Sequence, residues 1–210
     1  MSSFIGHALA GVISKQCIKT ELPPEKERRL YILAAALALL PDIDVLFYIL
    51  IKPAGMLPHR GFTHSLLFAA AAAALLPALT RRAFPVSRPR LFLIYLSPLL
   101  AHLALDYLMG AGPPVPFFAP FSYTGFLSPV RLVPCAFYSA SMGGLFRLQT
   151  QPIVLIGFAL ETLIFAPAAV FLAVSGQSAK GRLIKRTALI ISALALAATF
   201  YLYNFVFIKF

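Results

Sequence analysis

The chain has 210 residues, 60% of them hydrophobic and only 12% charged, with a mean hydropathy of +0.86. That balance excludes an ordinary soluble domain, which needs far more polar surface, and favours apolar helices dissolved in lipid. Eighteen Lys and Arg against seven Asp and Glu give a net charge of +11, but the basic residues sit in loops between apolar runs and form no continuous basic face, so a membrane is expected and a nucleic-acid partner is not.

In chain order, Met1 to Ile13 lacks the early positive charge and small-residue cleavage site of a signal peptide, so this segment is expected to stay in the mature protein. Its apolar part, Phe4 to Ile13, is too brief to cross a bilayer, which takes about 20 residues. It is expected as a half-inserted or re-entrant helix packed on the others. Five runs qualify as spans or come close: Leu30 to Ile51, Phe62 to Leu79, Leu91 to Met109, Ile153 to Val174 and Thr187 to Ile208. Between the third and fourth, Gly110 to Gln151 is rich in Pro, Gly and aromatics (PPVPFFAPFSYTGF) and reads as a long ordered loop with one interfacial helix. The expectation is an all-α, multi-pass transmembrane helical bundle of about five spans in one integral-membrane domain, 1–210. Residues 1–125 carry the motifs, and 126–210 supply a loop and two C-terminal spans.

Basic residues set the orientation. Thirteen lie on one side: Lys15, Lys19, Lys26, Arg28 and Arg29 before the first span, Arg81, Arg82, Arg88 and Arg90 after the second, and Lys180, Arg182, Lys185 and Arg186 after the fourth. Five lie on the other: Lys52, Arg60, Arg131, Arg147 and Lys209. The richer side is expected in the cytoplasm, which leaves the Gly110 to Gln151 loop outside. Cys17 and Cys135 are too few and too far apart for a disulfide framework or thiolate metal site, and take no role.

The chemistry is concentrated in seven residues. The chain has four histidines and three aspartates, His7, Asp42, Asp44, His59, His64, His102 and Asp106, and every aspartate lies in or beside an apolar span. Ionisable groups there are expensive and point to function, although each alone can be a satisfied polar residue or one that snorkels to the interface. The expected topology brings most of them towards the outer end of the spans. His102 and Asp106, four residues apart, share one helical face and can chelate one ion or form a His–carboxylate pair. Asp42 and Asp44 follow Pro41, which breaks the helix locally and lets both turn into a cavity. Imidazole and carboxylate without thiolate suit Zn, Mn or Fe, and open coordination positions suit hydrolysis. Arg60 can hold a phosphate-like anion bidentately, or meet lipid headgroups at the interface. Thr63 and Ser65 can orient ligands or cap the second span. Glu161, the one acid of the fourth span, can join the site or pair with an arginine, and takes no role here. The chain has no G-x-S-x-G elbow, and neither cysteine has a histidine neighbour in sequence.

The succession of His7, LPDID (Leu40 to Asp44), HRGFTHS (His59 to Ser65), HLALD (His102 to Asp106) and a Pro-rich stretch from Gly112 to Ser122 resembles the YdjM/YbcI-like inner-membrane metal-dependent hydrolases over roughly the first 125 residues. More distantly, the order is similar to zinc-dependent phospholipase C and the P1-type nucleases. The resemblance implies a bacterial multi-pass inner-membrane protein whose His and Asp residues hold a divalent metal, Zn before Mn or Fe. No histidine follows His102, so one or two ions per chain are expected and not three.

The expected function is therefore a membrane-bound, metal-dependent hydrolase acting on a phosphoester or lipid-linked substrate from the outer side of the cytoplasmic membrane, with membrane lipid as its surroundings. His7, Asp44, His59, His64, His102 and Asp106 are the expected metal ligands. Asp42 is expected as base or support and Arg60 as the substrate's counter-charge. The same residues would serve a small transporter that binds metal ions or relays protons. A metal-stabilised membrane protein without catalysis would instead show a closed ligand shell.

Overall fold

A computed structural model describes residues 3–45, 59–134, 147 and 150–207. The described residues form six α-helices: α1 (Phe4–Gln16), α2 (Pro24–Leu37), α3 (Leu66–Thr80), α4 (Arg88–Leu108), α5 (Pro152–Ala173) and α6 (Ala179–Tyr201), the last running into a π-helical turn, Leu202–Val206. Local chemistry starts them where they start. Ser3, Ser65 and Ser178 cap α1, α3 and α6 by accepting the backbone N–H of Gly6, Phe68 and Gly181, which satisfies donors that have no partner inside the helix. Proline at the first turn opens α2, α4 and α5, where its missing N–H costs nothing.

Among the described residues, three helices are long and apolar enough to cross a membrane: Arg88–Leu108, Pro152–Ala173 and Ala179–Val206. The helix α3, with 15 residues, is about 22 Å long. The apolar run Leu30 to Ile51 is not one continuous helix: α2 ends at Leu37 and a one-turn 3-10 helix, Leu40–Asp42, follows. Pro41 is the cause, since its ring collides with the carbonyl four residues back, that of Leu37, and it has no N–H to donate. The remainder of this run, from residue 46, lies outside the described residues. So do Lys52, Cys135 and Lys209, and most of the stretch in which the interfacial helix is expected; residues 110–134 carry no helix.

The bundle is inside-out compared with a soluble protein. On α5 and α6, Glu161 and Thr199 are buried while Leu155, Leu163, Leu189 and Leu194 are about half exposed or more, the distribution expected where the surroundings are hydrocarbon. A core of Leu30, Leu37, Ala69, Ala73, Tyr95, Leu99 and Leu103 joins α2, α3 and α4, with Tyr95 hydrogen-bonded to Thr80 at 2.6 Å.

The short helix α1 is central, packing against α2, α4 and α5. It lies antiparallel to α4, with Ser14 beside Ser97 and His7 beside Asp106. It runs parallel to α5, with Ser3 on Glu161 and Gln16 on the carbonyl of Ala169. At its far end Lys15 is buried in an ion pair with Glu27 and lies over the ring of Tyr31. These directions put Lys15 at the end of α1 and Arg81 and Arg82 after α3 with the basic starts of α4 and α6 at one end of the bundle. His7 and Asp106 lie at the other.

Gly11 lets α1 and α2 touch: a Cβ there would stand 2.6 Å from the carbonyl oxygen of Ala34 and from the Cβ of Ala38. Gly11→Ala is therefore expected to force the helices apart and to lower stability by about 1–3 kcal/mol in detergent, measured as thermal or denaturant unfolding.

Candidate metal centre

The residues that build the site come from four short segments. α1 delivers His7, and the turn created by Pro41 delivers Asp42 and, two residues on, Asp44. A second one-turn 3-10 helix, Phe62–His64, delivers His64 just before Ser65 starts α3, with His59 and Arg60 immediately upstream. The last turns of α4 deliver His102 and Asp106. All eight side chains are buried, with His7, His64, His102 and Asp106 at 0% exposure.

Four donor atoms converge. The Nε2 atoms of His64 and His102 are 3.2 Å apart. His64 Nε2 lies 3.4 Å from Asp42 Oδ1 and 3.4 Å from Asp106 Oδ2. His102 Nε2 lies 3.6 Å from each of the same oxygens. Each of Asp42, His64, His102 and Asp106 offers one atom, and the four all lie within 4.8 Å of one another. Donors held about 2.0–2.2 Å from one ion at tetrahedral angles stand about 3.3–3.6 Å apart, close to the five distances above that involve an imidazole nitrogen.

The protons point the same way. His102 Nδ1 is 2.7 Å from the carbonyl oxygen of Ala38, and a carbonyl only accepts, so Nδ1 carries the hydrogen and Nε2 presents a bare lone pair. His64 Nδ1 faces Asp44 Oδ2 at 3.3 Å and the hydroxyl of Thr63 at 3.1 Å. By the same reasoning it donates to Asp44, and its Nε2 is bare as well. Two bare nitrogens and two carboxylate oxygens thus face one another in a site without solvent. Neither oxygen of Asp42 and neither of Asp106 accepts a hydrogen bond of good geometry, although Arg60 Nε is 3.0 Å from Asp106 Oδ2. Lone pairs crowded like this repel unless a cation lies among them. The charges agree: three buried aspartates against one buried guanidinium leave two negative charges with the imidazoles neutral, the complement of one divalent ion.

Asp44 is tied differently. Its carboxylate accepts from His59 Nδ1 at 3.1 Å, from the Arg60 backbone N–H at 3.0 Å and from the Thr63 hydroxyl at 3.2 Å, besides facing His64 Nδ1. Asp44, His59 and His64 form a second group of donors within 4.8 Å, but hydrogen bonds already account for its distances. Arg60 has a φ of 65°, a left-handed conformation costly for a residue with a Cβ, by about 1–3 kcal/mol. That backbone turn lets one residue give its N–H to Asp44 and its guanidinium to Asp106 and to the carbonyl of Pro113. His7 stacks flat on His102, ring centroids 3.8 Å apart at 18°, with Nε2 3.5 Å from Asp106 Oδ1.

All the histidines and aspartates singled out in the sequence therefore meet in one cluster. Asp42 stands among the four converging donors, and Asp44 stands behind His64 and His59. One contributor carries no signal in the sequence: the carbonyl of Ala38, which fixes the tautomer of His102. Glu161, conspicuous in the sequence as the one acid of its span, does not join the cluster and accepts hydrogen bonds from Ser3 instead. Thr63 orients and Ser65 caps α3.

A buried His and Asp cluster set in apolar helices defines a class of membrane proteins, and comparison with known sequences says which. The chain belongs to the YdjM inner membrane protein family, whose match covers residues 1–206. Among curated proteins it is similar to the inner membrane protein YbcI of Escherichia coli (strain K12), with 35% identity over 121 residues, 57% of this chain and 68% of the relative. No solved structure matches the chain.

Proposed function

We propose that this protein is a metal-dependent hydrolase of the inner membrane, with one divalent ion, zinc first and manganese or iron as alternatives, held by Asp42, His64, His102 and Asp106. The observation that carries the metal is the four-donor arrangement, with its tetrahedral spacing and with both imidazoles held through their other nitrogen. Such an ion supplies an acidified water and polarises the scissile group. Asp44 orients His64 and His59, as carboxylates behind metal-ligating histidines do. Arg60 balances the charge of Asp106 and keeps Nη2 buried without a hydrogen-bond partner, a donor that a substrate anion entering the site would meet. Asp42, in the turn that follows the end of α2, is the group that a water would use as base.

The reaction class is taken from the distant resemblance of the motif order to zinc-dependent phospholipase C and the P1-type nucleases, which implies a phosphoester. A lipid-linked one suits the surroundings: an apolar cleft of about 550 Å3 is lined from α1, α4, α5 and α6 by Ala10, Ile13, Ala101, Leu105, Ile164 and Leu196 among others, Ala101 and Leu105 being the chain neighbours of His102 and Asp106. In this reading the chain crosses the membrane about five times. Its thirteen-residue basic side faces the cytoplasm and the cluster lies towards the outer face.

The donor count favours a second reading. Four protein donors close a tetrahedral shell, as in structural zinc sites, whereas catalytic sites keep one position open. One experiment separates the two. The detergent-purified protein is expected to hold about one equivalent of transition metal by elemental analysis, and a folded His64→Ala, Asp106→Ala double variant to hold none. The wild type is then expected to hydrolyse a phosphoester lipid in mixed micelles. Metal without hydrolysis supports the closed site, and absence of metal from protein grown in metal-replete medium removes both readings.

A further inference from the structure

The one buried acid outside the cluster is Glu161, in the middle of α5 and 1% exposed. Its carboxylate accepts the backbone N–H of Ser3 at 2.9 and 3.0 Å and also the Ser3 hydroxyl. Ser3 is itself buried and caps α1 by accepting the N–H of Gly6 at 3.0 Å. The contact leaves no slack, because a Cβ on Gly6 would stand 2.8 Å from the Glu161 carboxyl carbon. An acid from one helix thus closes the positive N-terminal end of another.

One turn further along α1 is His7, whose N–H bonds the Ser3 carbonyl at 3.0 Å and whose ring lies on His102 and beside Asp106. Beyond His7 the α1 surface is small and apolar around Ala10 and Gly11, and its other polar contacts, Ser14 on Ser97, Lys15 on Glu27 and Gln16 on the Ala169 carbonyl, hold the far end and leave the first turns free to shift. A slip of one turn is about 5.4 Å and would carry His7 away from both partners. A buried polar contact fixes register where apolar packing does not. We propose that Glu161 is a positioning residue, anchoring Ser3 so that α1 holds His7 against His102 and Asp106. The role rests on the metal reading only for its effect on metal affinity.

The test uses the full chain in detergent with two readouts: carbethoxylation of His7 by diethyl pyrocarbonate, read by peptide mass spectrometry, and Co2+ affinity with its visible spectrum. Glu161→Ala is expected to raise His7 labelling about fivefold and to weaken Co2+ binding about tenfold with shifted bands. Glu161→Gln, which keeps one acceptor for the Ser3 amide, should fall between it and wild type. Leu163→Ala, two residues along the same helix and about half exposed on its outer face, should change neither readout more than about twofold. Should the Glu161 variants fail to fold, Gly6→Ala displaces the carboxylate from the other side and is expected to raise labelling in the same way. Unchanged labelling and unchanged Co2+ affinity in a folded Glu161 or Gly6 variant overturn the proposal. Raised labelling in a protein whose wild type binds no Co2+ leaves the anchor standing and removes the metal centre.

Discussion

Asp106→Ala is expected to lower the affinity of the purified protein for Zn2+ or Co2+ by about a hundredfold or more, above the 10–100-fold typical of losing a supporting group, because a donor atom itself is removed. It should also destabilise the fold. Asp106 is the one carboxylate that meets the guanidinium of Arg60 and is approached by His7, His64 and His102. Its removal leaves a fully buried cation without a counter-charge, which costs about 3–5 kcal/mol. Two further variants separate the effects. Asp106→Asn keeps the shape and an oxygen but not the charge, and should retain more stability than affinity. The double variant Asp106→Ala, Arg60→Met removes the stranded cation and is expected to recover much of the stability while metal binding stays lost. Titration calorimetry with Co2+ and thermal unfolding in detergent read the two quantities. Undiminished Co2+ affinity in Asp106→Ala would remove this residue from the centre.

Stripping the metal is expected to have the next largest effect. Without an ion, the bare nitrogens of His64 and His102 and the oxygens of Asp42 and Asp106 face one another with no solvent to relieve them. A ligand present at a thousand times its dissociation constant stabilises the folded state by about 4 kcal/mol, which for a chain of this size corresponds to a melting shift of roughly 10 °C. Chelation should therefore lower the melting temperature by about that much, with stoichiometric Zn2+ restoring it. In a His64→Ala, His102→Ala variant the chelator should do nothing. Equal melting temperatures for chelated and untreated wild type would leave the four donors to a shared proton.

The composition of the cluster was legible because ionisable residues in apolar runs stand out one by one. The pairing of His102 with Asp106 follows from helical spacing alone. The division of labour between Asp42 and Asp44 was not legible. It depends on the backbone path after Pro41, where a 3-10 turn sends Asp42 to the imidazoles and leaves Asp44 to gather His59, Thr63 and the N–H of Arg60. Arg60 looked like an anion-binding side chain. Its left-handed backbone, which no sequence pattern announces for an arginine, turns most of its donors inward. The Ala38 carbonyl escaped for a simpler reason, since a backbone atom of an alanine has no motif, and Glu161 stood out as a lone acid while nothing pointed to its partner 158 positions away. The run Leu30 to Ile51 read as one span because hydropathy registers apolarity and not the collision at Leu37.

The order in which the donors occur along the chain has a consequence for biogenesis. Asp42, His64, His102 and Asp106 all lie within the first 106 of the 210 residues, whereas the acid that grips Ser3 is in α5. A ribosome feeding this chain into a membrane releases the complete donor set before α5 and α6 exist. The four donors can come together while synthesis is still under way, and the first turn of the amino-terminal helix stays unclasped until the last third of the chain arrives.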